Sequence, residues 1–126
     1  MNYKALLGTA IVSGVLGYLM NTYLFTPTLS ADAVAAAAAA AMVPAYAGWV
    51  VSSVISAFVI SWVTGMTGNG VKSGLVIAVS QIVLVDVFYV LNGRRALATA
   101  AASAVVLLVS GVASGYTFGK LSASKS

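Results

Sequence analysis

Asp86 is the residue in this chain most suited to chemistry, because it is the only acidic group inside an apolar run. An ionisable side chain within a membrane-length apolar stretch is costly and is a functional candidate by default. Gln81 lies five residues earlier, in the same run. Its carboxamide would seek a hydrogen bond on a neighbouring helix. Arg94 and Arg95 follow immediately after the run. Asp86 stands five residues before the end of its helix, about 8 Å from the boundary. Either arginine can fold back across the turn and pair with it. Three roles follow for Asp86: a structural ion pair or partner contact, proton or cation handling, and catalysis. General acid–base catalysis usually needs a second group in reach, and none is visible.

The remaining residue types narrow the chemistry further. Cysteine, histidine and glutamate are absent. Haem, copper, zinc and iron–sulfur sites lean on His or Cys ligands. No cofactor and no metal site is therefore expected. The second link reads Gly65-Met-Thr-Gly68-Asn-Gly70-Val-Lys72-Ser73. A phosphate-binding loop of the Walker A type needs its lysine directly after the last glycine, and it follows a strand. Here Val71 intervenes and a membrane-length helix precedes, so no nucleotide partner is expected. The basic residues Lys4, Lys72, Arg94, Arg95, Lys120 and Lys125 sit at the edges of apolar runs. They form no stripe of the kind that binds nucleic acid. They read as topology signals and contacts to anionic lipid.

Small residues form a second constellation. Gly111, Gly115 and Gly119 recur every four residues on one helix face. Ser13 and Gly17, flanked by Thr9 and Asn21, make a similar row. So do Gly48, Ser52 and Ser56. Such rows let helix backbones approach closely in lipid, where van der Waals packing and hydrogen bonds drive association. They either meet one another inside one bundle or dock another subunit. The string Val-Ser-Gly-Val occurs at 12–15 and at 109–112, followed by Gly17-Tyr18 and Gly115-Tyr116. In so biased a composition this reads as coincidence.

The elements that position these residues follow from composition. Hydrophobic residues make up 61% of the 126 and charged residues 6%. A soluble domain carries about 25% charged residues. This chain could not cover its own surface in water, whereas lipid demands no such cover. Apolar runs at 5–25, 45–64, 74–91 and 96–118 each approach the length that crosses a bilayer. The first ends in Tyr23, Leu24, Phe25, Thr26 and Pro27, an interfacial close rather than a cleavage site, so it reads as a retained span. Between the first two runs lies an alanine-rich helical segment, 31–43, capped by Ser30 and carrying Asp32 in its first turn. A straight helix from Ala31 to Thr64 would be roughly 50 Å long against a hydrocarbon core of about 30 Å. Pro44 is therefore expected to break it. Gly65 to Ser73 is read as a glycine-rich turn, Asn92-Gly93 as a tight turn, and Gly119 onward as a polar tail.

The expected fold is all-α: one integral membrane four-helix bundle of up-down topology, with the alanine-rich segment outside the hydrocarbon. Lys4, Lys72, Lys120 and Lys125 would share one side and Arg94 and Arg95 the other, so both termini are expected in the cytoplasm. The order Met1-Asn2-aromatic, Gly17-Tyr18 closing on Leu24-Phe25, the glycine turn and the glycine-rich last helix resemble a class of small bacterial and archaeal four-helix membrane proteins. The alanine-rich segment departs from that pattern. The resemblance implies a fold and no activity. The expected function is a non-catalytic accessory subunit of a larger prokaryotic membrane complex, partnered by other subunits, by itself and by lipid. The alternative is a small oligomeric transporter or channel in which Asp86 and Gln81 handle ions or protons.

Overall fold

The computed structural model describes residues 2–123, and every regular element among them is helical. Four helical stretches are long and apolar enough to cross a membrane: Tyr3–Thr28, Ala45–Thr67, Gly70–Leu91 and Leu97–Ser122. The protein is thus a multi-pass membrane helical bundle. Many of its large apolar side chains, such as Leu7, Trp62 and Leu84, face outward, as lipid allows and water does not.

Local sequence explains where each helix starts and stops. The first span begins with α1 (Tyr3–Met20), where the Asn2 carboxamide oxygen accepts from the Ala5 N–H at 3.0 Å. It widens into a π-helical turn at Asn21–Phe25 and tightens into a 3-10 turn at Thr26–Thr28, where Pro27 ends it. Ser30 then caps α2 (Ala31–Ala40) by accepting from the Ala33 N–H. This alanine helix is exposed along its whole length. The chain leaves helical geometry at Ala41 and re-enters at Ala45, with Pro44 as the residue ahead of α3 (Ala45–Thr67). A proline disfavours helical geometry in the residue before it, and its own fixed φ suits a helix start.

The link between the second and third spans is shorter than the sequence suggests. Helix α3 runs through to Thr67, and Gly68 closes it at φ 71°. Asn69 immediately caps α4 (Gly70–Gln81), its side chain accepting from the Lys72 N–H at 2.9 Å. The Thr67 and Ser73 hydroxyls meet across the turn at 2.6 Å. The glycine turn expected over 65–73 is therefore two residues, because one αL glycine and one Asn cap suffice. The third span continues through a π-helical turn at Ile82–Asp86 into α5 (Val87–Leu91). Asn92 and Gly93, the latter at φ 70°, make the turn that follows. Helix α6 (Leu97–Ala123) extends five residues past the expected end at Phe118. Lys125 and the rest of the expected tail beyond Ala123 lie outside the described residues.

Close backbone approach holds the third and fourth spans together. A Cβ placed on Gly70 would stand inside 3.0 Å of the Gly115 carbonyl oxygen, and one on Gly74 inside 3.0 Å of that of Gly111. The crowding is reciprocal: Gly115 faces the Gly70 carbonyl and Gly111 that of Gly74. The first span packs against both neighbours, with Gly14 against Ser53, Gly17 against the Trp49 ring, and Gly8 against Leu121. Ala5, Leu6, Ala57, Ile60 and Phe118 form a buried apolar cluster.

Candidate functional site: a polar intramembrane cleft and a clamped ion pair

The glycine and serine rows converge inside the chain. Gly111 and Gly115 lie against Gly74 and Gly70, with Gly119 beside Gly70 as well. That groove is filled by the chain's own third span. The sequence pointed to the row but not to its partner, because Gly70 stood in the expected turn. Gly48 rests near Val43 of the preceding link. Ser13, Gly17, Ser52 and Ser56 instead line a cleft of about 300 Å³ between the four spans.

Several of the residues that line this cleft stand near the midpoints of their spans. Gln81 stands eleven residues after Gly70 and ten before Leu91, the bounds of its span. Ser56 and Ser110 occupy similar midpoints of theirs. The first span contributes Ser13 and, nearer its end, Asn21, whose amide donates to the Gly17 carbonyl at 2.8 Å. The fourth contributes Ser110 and Ser114, whose buried hydroxyl oxygens have no hydrogen-bond partner among the described residues. Ser114 is 2% exposed. Ser52, Ile55 and Gln81 line the cleft and are also exposed, so its mouth lies between the second and third spans. No Asp, Glu, Lys or Arg is among its lining residues.

Asp86 is elsewhere. It is the last residue of the π-helical turn in the third span, and its carboxylate is 3% exposed. Arg95 Nη1 donates to Asp86 Oδ1. The guanidinium also lies over two aromatic rings, 5.0 Å from the Tyr89 centroid and 5.5 Å from that of Phe25. Arg95 thereby ties the π-helical turn of the first span to that of the third. A guanidinium suits this place: it is weakly hydrated, stacks on aromatic faces and donates from a rigid fork. The Thr99 hydroxyl adds a second tie by donating to the Thr28 carbonyl at 3.2 Å. Asp86 Oδ2 is buried without a partner among the described residues. Of the two arginines that could reach Asp86, Arg95 does so, and Arg94 is exposed. The π-helical turns carry no sequence signature that periodicity reveals, yet such turns often mark functional segments.

No group of three or more His, Cys, Asp or Glu residues that could hold a metal ion occurs among the described residues. Compared with family models, with curated proteins and with solved structures, the chain matches none of them.

Proposed function

We propose that this protein is a non-catalytic packing subunit of a prokaryotic cytoplasmic membrane, assembled with other membrane helices, either further copies of itself or larger subunits. One observation carries this reading: Gln81 is exposed at mid-span and its carboxamide makes no hydrogen bond among the described residues. A polar group left against lipid at that depth is costly, and a neighbouring helix relieves the cost. Ser52, exposed on the other side of the same mouth, adds to the case. An interhelical hydrogen bond is worth about 1–2 kcal/mol, roughly a tenfold change in association. Gln81→Leu should therefore shift the protein toward the monomer in mild detergent, read by cross-linking and sedimentation. Unchanged assembly would remove the reading's main support.

The spans are read as running up, down, up and down, with the alanine helix α2 outside the hydrocarbon. Paired contacts support this order, since Gly70 meets Gly115 while Gly74 meets Gly111. The basic residues support cytoplasmic termini. Single cysteines at Ser30 and Asn69 should then label from opposite faces of sealed vesicles. Labelling of both from one face would refute the order.

A second reading, a small oligomeric transporter or channel, is favoured by the polar cleft. Within it Gln81 keeps a part, whereas Asp86 is engaged by Arg95 and does not line the cleft.

A further inference from the structure

We infer that the polar cleft between the four spans is a binding site for small uncharged molecules rich in hydrogen-bonding groups, such as short amides and polyols, and that it rejects ions. The inference deepens the transporter reading by naming what the cleft admits.

Capacity is the first consideration. About 300 Å³ is many times the ~30 Å³ that one water molecule occupies in the liquid. The space holds a solute of a few heavy atoms together with water. Polarity is the second. Ser110 and Ser114 present hydroxyl oxygens with no partner among the described residues, and Ser114 is almost wholly buried. Such groups are under-satisfied when dry. A ligand that both donates and accepts completes them. Gln81 extends the polar surface with a carboxamide that can do either.

Charge is the third and decides the class. The lining carries no ionised side chain. An ion stripped of water needs a counter-charge or a full shell of dipoles to replace its hydration. Asp86, the only acidic residue of the spans, is bound to Arg95 and stands apart. A neutral solute needs only hydrogen bonds, and the serines supply these. The partnerless serine hydroxyls lie near the span midpoint, where a lipid would bring hydrocarbon and not its headgroup.

Trp49 lines the same cleft and reports on it. The full chain carrying Trp62→Phe, in phosphatidylcholine vesicles, leaves Trp49 as the only tryptophan. Acrylamide, a small neutral amide, and iodide, an anion, are the probes. Acrylamide should quench Trp49 emission strongly and iodide weakly. Filling the cleft by Ser110→Leu, or more gently by Ser56→Val, should cut acrylamide quenching severalfold, with circular dichroism showing the fold retained. Equal quenching by acrylamide and iodide would overturn the uncharged-solute class while leaving an open, unselective pathway. Failure of both probes to reach Trp49 would overturn the inference and the transporter reading together. Acrylamide quenching unaltered by both filling variants would show that Trp49 is reached from outside, and would overturn the site.

Discussion

Gly115→Leu is expected to make the monomer itself protease-sensitive, not merely to dissociate an assembly. The neighbour of Gly115 is Gly70 in the same chain, and the space for even one added carbon is already taken by a backbone carbonyl. Backbone cannot swing aside as a side chain can. The third and fourth spans would have to separate along the row, losing the Gly74–Gly111 approach as well. Over-packing of this kind costs about 1–3 kcal/mol and sometimes more, and a leucine at a backbone-to-backbone contact belongs at the upper end. Gly74→Ala should act in the same direction from the opposite helix. By contrast Gly65→Ala, where an added Cβ meets nothing within 4 Å, should be silent. Limited proteolysis and thermal unfolding in detergent measure all three. Unchanged protease resistance in Gly115→Leu would mean that the two helices do not meet along this row.

The second large effect is expected at the ion pair. Arg95→Leu strands a buried carboxylate, and Asp86→Leu strands a guanidinium that is largely buried. Breaking a buried pair from one side typically costs about 3–5 kcal/mol, because a charge remains without compensation. Replacing both partners with leucine should recover most of that loss, since apolar pairs often match buried ion pairs in stability. The double-mutant cycle isolates the coupling. Arg95→Lys should recover little, because an ammonium cannot lie flat between Phe25 and Tyr89 while donating to Asp86. Arg94→Leu, at an exposed position, should cost far less. Equal losses at Arg94 and Arg95 would deny Arg95 its special place.

Much of the architecture was legible because single residues dictate it locally. Ser30 and Pro44 mark their helix starts through chemistry that acts within one turn. The four apolar runs stand out because crossing a bilayer needs length and little charge, both of which sequence displays. Pairing was not legible. Gly111 and Gly115 announce a groove, but nothing local says which helix fills it. Gly70 reads as turn because a glycine four residues from Gly74 looks the same in a loop and in a helix–helix contact. The Asn69 cap was the missed signal: it starts the helix early enough to turn Gly70 and Gly74 into one face. The cleft was hidden for a related reason. Serines on three helices look like packing surfaces until their convergence at one depth leaves a space between them.

The two π-helical turns bear on how the chain tolerates change in length. Each is a place where one residue more than an α-helix needs has been accommodated. A helix advances about 100° per residue, from 3.6 residues per turn. Deleting one residue within 82–86 would restore α geometry there and leave α4 undisturbed. What lies beyond would keep close to its present orientation, with Tyr89 still beside Arg95, because the wide turn already takes up that angle; the same deletion inside α4 would carry Tyr89 away from Arg95 and the stripe of α5 out of phase. The extra residue at Ile82–Asp86 thus acts as a phase adjuster between two stretches with different neighbours, α4 set by its glycine contact with α6 and α5 by the arginine clamp. Natural insertions and deletions in this span should collect at that turn, where one residue gained or lost is absorbed by the helix rather than by the bundle.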